Sequence, residues 1–280
     1  MHIARTLSDL RDAAGELRAS RGALALVPTM GALHDGHRAL MRAAVTSGAA
    51  TVTSIFVNPL QFAASEDLSR YPRDEAGDLA ILRASGCDLV WMPDVATMYP
   101  PGDATTIDVG GPAENWEGAA RPGHFRGVAT VCAKLFGQVR PDRAYFGEKD
   151  WQQLQVVRRM VNDLLLPLTI VGVETVRERD GLAMSSRNRF LSETERARAP
   201  LLHAALTEAA RGESTPGDAR GRLRDAGFDV DYFALVDGPT LTETAAPRPG
   251  SRLIAAARLG SVRLLDNVAA EGGVAEGDAA

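Results

Sequence analysis

Pro28-Thr29-Met30-Gly31-Ala32-Leu33-His34-Asp35-Gly36-His37 follows an apolar run, Ala23–Val27, whose unbroken character reads as a strand buried on both faces. A helical pattern, Arg38–Val45, comes next. The chain therefore passes from strand through a glycine-containing turn into a helix and delivers two histidines on the way. Unpaired N–H groups and the positive dipole end of the helix favour an anion there, above all a polyphosphate, and His37 falls near that end. Gly36 lets the backbone approach a ligand closely, and imidazoles three residues apart reach the same side of a bound anion. Taken alone, the pattern is equally accounted for by two exposed turn histidines. A zinc site is the weaker alternative, because no cysteine or third histidine lies near in sequence.

With 280 residues and 45% hydrophobic content the chain can bury a full core, as one large domain or a large and a small one. Its net charge of -5 comes from 31 basic and 36 acidic residues mixed along the sequence, which gives no electrostatic reason to expect nucleic acid or an anionic membrane as partner. Any anion must be held locally. Cys87 and Cys132 have no paired spacing and sit in apolar surroundings, as reduced core thiols do, so the expected compartment is the cytoplasm. No apolar signal core opens the chain, and the longest apolar stretch, around Leu164–Val173, is too short to span a bilayer. Only Lys134 and Lys149 among the basic residues are lysines, which asks whether a compact point charge is wanted at those places.

Read outward from the opening turn, the chain alternates strand and helix. Helices are expected at 8–19, 38–47, 74–85, 125–139 and 151–163, and strands at 23–27, 50–57, 88–92, 143–146 and 168–173, the last as a core strand of a parallel sheet. Proline and glycine crowd the stretch from Pro93 to Phe125, an excursion expected to hold one strand near Thr105–Val109. Residues 1–175 thus read as a doubly wound α/β domain with a parallel sheet. Residues 176–268 read as a small α+β lobe: helices at 193–211 and 216–226, then strands at 230–236, 252–258 and 262–266. The Ala-, Gly- and acid-rich run 269–280 is expected to be an unstructured tail.

Two more segments carry chemistry. Gly147-Glu148-Lys149-Asp150 repeats the strand, glycine turn, helix logic: Gly147 allows close approach, Lys149 can reach a phosphate and Asp150 can accept from ribose hydroxyls. A capped helix start with a solvated lysine is the plain alternative. Asp180-Gly181-Leu182-Ala183-Met184-Ser185-Ser186-Arg187-Asn188 sets two hydroxyls and a guanidinium side by side, as a lid over a triphosphate would, with Gly181 as its pivot; an ordinary serine-rich loop is the alternative. Gln61 and Gln153, neutral amides beside Phe62 and Trp151, suit a small hydroxy acid, or are surface glutamines. Arg121-Pro-Gly-His124-Phe-Arg126-Gly is either an anion contact or the turn that starts a helix.

The segments PTMGALHDGH, SIFVNPLQF, YPRD, RPGHFRGV, RPDRAYFGEKDWQQL and DGLAMSSRNRFL, in this order and spacing, resemble the pantoate–β-alanine ligase family over nearly the whole chain. The resemblance implies a Rossmann-like fold of the nucleotidylyltransferase type and an ATP-dependent ligase. Its reaction condenses (R)-pantoate with β-alanine, giving pantothenate, AMP and pyrophosphate through an enzyme-bound pantoyl adenylate. It further implies magnesium accompanying ATP and a homodimer. Carried over by position, Met30, Gly31, Ala32, Leu33, His34, Asp35, Gly36 and His37 form an ATP segment in which His34 and His37 meet the phosphates and His37 is the proton donor. Gly147, Glu148, Lys149 and Asp150 form a second, with Lys149 on phosphate and Asp150 on the ribose. Val176 and Met184, Ser185, Ser186 and Arg187 complete the nucleotide site, and Gln61 and Gln153 bind pantoate, Gln61 also lying near β-alanine. The catalytic set implied is His34, His37, Lys149, Ser185, Ser186 and Arg187. Trp151 stands where the family often has tyrosine, and the acidic stretch after Tyr71-Pro72-Arg73 varies, so no carboxylate is assigned to the metal. The rival readings are a cytidylyltransferase, which would keep nucleotide in its product, and a nucleotide-binding regulator without turnover, which would not need the glutamine pocket.

Overall fold

The computed structural model describes residues 1–62 and 71–270. The chain divides into two compact units, Met1–Val176 and Arg177–Ala280.

The first unit runs β1 (His2–Ala4), α1 (Leu7–Arg21), β2 (Leu24–Thr29), α2 (Asp35–Thr46), β3 (Ala50–Ile55), α3 (Glu75–Ala84) and β4 (Leu89–Trp91). It continues through the short helices α4 (Val95–Met98) and α5 (Glu117–Ala120) to α6 (His124–Val139), β5 (Arg143–Gly147), α7 (Trp151–Asp163) and β6 (Thr169–Val173). The strands form one six-stranded parallel sheet in the order β1-β4-β3-β2-β5-β6. The apolar run that opens β2 has no alternation because both faces are covered. Leu24 and Leu26 join the core that also holds Leu10 of α1, Phe136 of α6 and Leu154 of α7, while Ala25 and Val27 join Met41 of α2 and Leu82 of α3 on the other face.

This strand order positions the site. From β2 the chain crosses to β3 and on to β4 on one side, and it later returns to lay β5 on the other. The order therefore reverses between β2 and β5, and in open α/β sheets ligands bind in the crevice outside the carboxyl ends of the strands at such a point. The turns that leave those two ends are 30–34 and 148–150.

Four sequence expectations are corrected in this unit. The second helix begins at Asp35, three residues before the expected 38, because His34 serves as its cap. Residues 105–109 form no strand; Ile107 N–H donates instead to Thr130 Oγ1 at 3.0 Å, so a side chain on α6 replaces the ladder. β6 is not a core strand but the last in the sheet order, paired with β5 alone, and its residues are exposed or half-buried. The excursion from Pro93 to Phe125 carries the short helices α4 and α5 where irregular chain was expected.

The second unit consists of α8 (Glu193–Arg198), α9 (Leu201–Ala210), α10 (Pro216–Asp225), β7 (Asp229–Asp237), β8 (Ser251–Leu259) and β9 (Val262–Ala269). The three strands form an antiparallel sheet in the order β7-β8-β9, and Leu202, Leu206 and Leu223 pack with Phe233, Leu253 and Leu264 in its core. The single helix expected at 193–211 is two, broken at Ala199-Pro200, where proline lacks the N–H that a continuing helix needs. The expected tail does not begin at Ala269: β9 includes that residue, and Ala270 is buried with its N–H on Ser251 O at 2.9 Å. Residues 271–280, the rest of that tail, lie outside the described residues.

Candidate active site

The turn after β2 is built from two residues in the left-handed region, Gly31 (φ 83°) and Ala32 (φ 52°). The N–H groups of Ala32 and Leu33 converge on one buried carboxylate, that of Asp78 in the first turn of α3, at 2.9 Å on Oδ2 and 2.7 Å on Oδ1. A Cβ on Gly31 would stand 2.8 Å from Asp78 Oδ2, so the glycine is required twice, by its backbone angle and by this close approach.

His34 and His37 then cap α2 reciprocally. Gly36 N–H donates to His34 Nδ1 at 3.1 Å and His34 N–H donates to His37 Nδ1 at 3.2 Å. The rings lie 4.2 Å apart between centroids. A ring nitrogen that accepts a hydrogen bond carries no proton, so each neutral imidazole holds its proton on Nε2. Desolvation, with the neighbouring His34 second and Lys149 also lowering it against the opposing pull of Asp150, brings the His37 pKa down to about 3. His37 is therefore a neutral donor at pH 7.

In this turn the N–H groups of Ala32, Leu33, His34 and Gly36 already have side-chain acceptors within the protein. Gly36 serves the cap itself: a Cβ there would stand 2.8 Å from His34 Cε1.

Beside it, the turn after β5 is of a different kind. Gly147 has φ -73° and an added Cβ would meet nothing within 4 Å, so neither backbone angle nor packing demands glycine; a side chain would only fill the space above the turn. No side chain caps α7. Lys149 is mostly buried with Nζ 3.3 Å from Asp150 Oδ1, and both residues act on the His37 charge, which brings the two turns into one electrostatic neighbourhood. Glu148 Oε1 lies 3.1 Å from where a Cβ on Gly172 of β6 would stand. Asp35 is exposed and pairs with Arg38 at 3.5 Å. Val176 ends the unit and is half-buried.

Gln61 closes this cluster from the end of β3. Its Nε2 lies 3.0 Å from Met30 Sδ, and its Oε1 accepts from Asn58 Nδ2 at 3.1 Å. Asn58, buried, also donates to Gly127 O and accepts from Tyr99 Oη at 2.7 Å. The Gln61 main-chain carbonyl accepts from His124 Nδ1 at 2.8 Å, and His124 Nε2 lies 3.0 Å from an Arg121 guanidinium nitrogen. A Cβ on Gly127 would stand 2.3 Å from Leu60 O, so α6 packs directly on the Gln61 turn. The Arg121–Gly127 motif thus starts a helix, as one of its two readings had it, and also locks Gln61; Arg126 pairs with Asp108. Gln153 stands half-buried in the first turn of α7, while its neighbour Gln152 is buried and tied to Glu117 N–H and the carbonyls of Pro112 and Asn115.

Met184, Ser185, Ser186 and Arg187 belong to the second unit. Arg177 bridges Ala183 across a tight turn in which Gly181 N–H donates to Glu178 O at 2.9 Å. Arg196 spans Glu178 and Asp180 at 2.6 Å each, and its hydrogen bond holds the Asp180 carboxyl below the usual range. Gly181 (φ 91°) would meet His203 Cδ2 at 2.8 Å with any Cβ. Its positive φ serves a tight turn. Ser185 Oγ caps the following turn by accepting from Arg187 N–H at 3.2 Å. Arg187 is exposed.

Asn58, Asp78, Arg121 and His124 were not assigned by sequence. Asn58 had a signal, the Asn-Pro that ends β3, and Arg121 and His124 lay in a noted motif. Asp78 had none, since an acid in a first helical turn reads as a dipole partner. Among the described residues there is no group of three or more metal-ligating side chains, and no helix is long and apolar enough to cross a membrane.

Residues 2–269 match the family model described as pantoate-beta-alanine ligase. A pantothenate synthetase of Granulibacter bethesdensis is 62% identical over 277 residues, 96% of each chain, and one of Acidiphilium cryptum is 57% identical over 96% of this chain and 100% of that protein. The crystal structure of pantothenate synthetase from Thermus thermophilus superposes with a TM-score of 0.88 at 48% identity, covering 96% of this chain and 99% of that one. The structure of pantoate-beta-alanine ligase from Francisella tularensis, complexed with beta-gamma ATP and beta-alanine, gives 0.85 at 31% identity over 98% and 99%.

Proposed function

The chain belongs to the pantoate–β-alanine ligase family, and from that premise we infer how its own residues carry the family's reaction. It is an ATP-dependent ligase that joins pantoate to β-alanine through a pantoyl adenylate. In the first half-reaction a pantoate carboxylate oxygen attacks the α-phosphorus of ATP, and the bond to the β-phosphate breaks to release pyrophosphate. In the second, the β-alanine amine attacks the adenylate carbonyl, AMP leaves and the nitrogen sheds its proton.

We assign the triphosphate to the crevice between β2 and β5. His34 and His37 donate from Nε2 to phosphate oxygens, Lys149 supplies the point charge on the developing pyrophosphate, and Asp150 accepts from the ribose. Such donors stabilise charge without needing to reorganise at the moment of reaction. The observation that carries this reading is the pair of reciprocally capped imidazoles, with a neutral His37 in the electrostatic neighbourhood of Lys149. Gln61, its amide oriented by Asn58 and Met30, and Gln153 of α7 hold pantoate with its carboxylate toward the α-phosphorus. The Met184–Arg187 turn of the second unit carries two hydroxyls and a guanidinium, groups whose chemistry suits a triphosphate. We further propose magnesium as the divalent cation. Bound with ATP, it would supply charge neutralisation at the phosphates. Family likeness supports a homodimer, and two buried free thiols support a cytoplasmic location.

Exchange of labelled pyrophosphate into ATP tests the assignment. It should require pantoate and a divalent cation but no β-alanine, and Gln153→Ala should weaken it through the KM for pantoate. The loss should be about 1–3 kcal/mol, the cost of an unpaired polar group on the ligand. Exchange that appears only with β-alanine would replace the stepwise route with a concerted one.

A further inference from the structure

We infer that Asp78 is a positioning residue for the adenylation half-reaction: it holds the ATP turn in shape from beneath and takes the Ala32 and Leu33 N–H groups out of phosphate binding. Resting on the ATP assignment made above, this adds to it the residue that fixes its geometry. Three observations carry it. Each carboxylate oxygen of Asp78 takes one N–H of the turn, at 2.9 and 2.7 Å, so the side chain is bidentate on two successive backbone groups. Gly31 closes on Oδ2 so tightly that no Cβ fits, so the turn's backbone packs directly on the carboxylate. Asp78, Ala32 and Leu33 are all at least nine-tenths buried, so the bonds are shielded from water.

Successive N–H groups leaving a residue of positive φ form a concavity that binds anions. Here the protein's own carboxylate fills it, and α3 supplies that carboxylate from its first turn, where the helix dipole favours the charge. The nucleotide is then met by what the turn presents next, His34 and His37, whose placement depends on the chain leaving Leu33 in one direction. A small shift of a positioning element commonly costs on the order of 10²-fold in rate.

Asp78→Asn keeps the volume and one acceptor but turns a donor toward one of the two N–H groups. Pyrophosphate exchange with Asp78→Asn should show kcat/KM for ATP reduced by on the order of 10²-fold. The KM for β-alanine should stay within about twofold in the reaction of preformed pantoyl adenylate, since β-alanine carries no phosphate for His34 and His37 to meet. Leu82→Ala, which opens a cavity at a fully buried position of the same helix, is the control and should leave the KM for ATP unchanged. Folded Asp78→Asn enzyme with wild-type exchange kinetics would overturn the inference, as would an equal defect in Leu82→Ala. If Asp78→Asn does not fold, amide hydrogen exchange on the wild-type protein decides: Ala32 and Leu33 should be protected without ATP and gain nothing when ATP is added. Exchange at the rate of an open peptide, or protection that appears only with ATP, would overturn it. Wild-type protein with no exchange activity at all, yet with both amides protected, would instead unseat the ligase assignment and leave the clamp standing.

Discussion

Two turns leave neighbouring strands of the same parallel sheet at the same end, and they are built on opposite plans. The β2–α2 turn is fixed from within: two left-handed residues, a buried carboxylate on two of its N–H groups, and a helix capped by its own histidines. The β5–α7 turn has an ordinary backbone at Gly147, open space above it and no side-chain cap. The first uses backbone donors to hold its shape and carries its imidazoles at the start of the helix. The second keeps its helix end uncapped and adds one compact cation. A residue in the first therefore bears on both folding and chemistry, whereas a residue in the second bears mainly on chemistry.

The largest expected effect separates these roles. Lys149→Ala should lower kcat at saturating ATP by on the order of 10²–10³, roughly 3–4 kcal/mol, with unfolding free energy within about 0.5 kcal/mol of wild type. Lys149→Arg should also be poor, because a planar guanidinium does not replace a point charge. His37→Ala should lose comparable activity and also about 1 kcal/mol of stability, since His34 N–H loses its acceptor. Steady-state kinetics and urea unfolding on the same preparations check both. Equal stabilities for the two variants would erase the contrast between the turns.

The glycines sharpen it next. Gly31→Ala places a Cβ against Asp78 at a positive φ and should cost about 1–3 kcal/mol. Gly147→Ala should leave stability unchanged or raise it by about 0.4–1 kcal/mol, because its φ suits alanine and the unfolded chain loses freedom. Thermal unfolding distinguishes them, and a Gly147→Ala variant as unstable as Gly31→Ala would mean the second turn is no looser than the first.

A further contrast is in the pH dependence of the ligand-free protein. His37 titrates near 3 when folded against 6.5 as a free side chain, so below pH 6.5 the unfolded chain takes a proton that the folded chain refuses. Its contribution to stability is complete above 6.5 and falls as the pH drops toward 3. Between pH 7 and 5.5 that loss should be about 1 kcal/mol. His37→Gln, whose amide oxygen can still accept from His34 N–H, should remove this part of the slope. Urea midpoints of the two proteins across that interval measure it, and identical slopes would place the His37 titration near its ordinary value.

Much of this was legible in the sequence, because it depends on local pattern. An unbroken apolar run followed by a glycine turn and a helical repeat specifies a doubly buried strand and its crossover, and the six motifs in their spacing resemble one ligase family. Even Arg121–Gly127 was correctly narrowed to two readings, of which the helix start is one. What the sequence by itself did not determine is how distant residues complete a turn. Asp78 is 46 residues from Ala32 in the chain, and only the packing of α3 beside α2 brings its carboxylate under the turn. The histidines stood out in the sequence as candidates, but that they cap each other through their Nδ1 atoms follows from distances between atoms of neighbouring residues that spacing alone leaves open. Strand order was likewise decided by tertiary structure. The alternation of strands and helices is the same for any doubly wound sheet, and it is the placement of β5 against β2, opposite β3, that makes the switch point where the two turns meet.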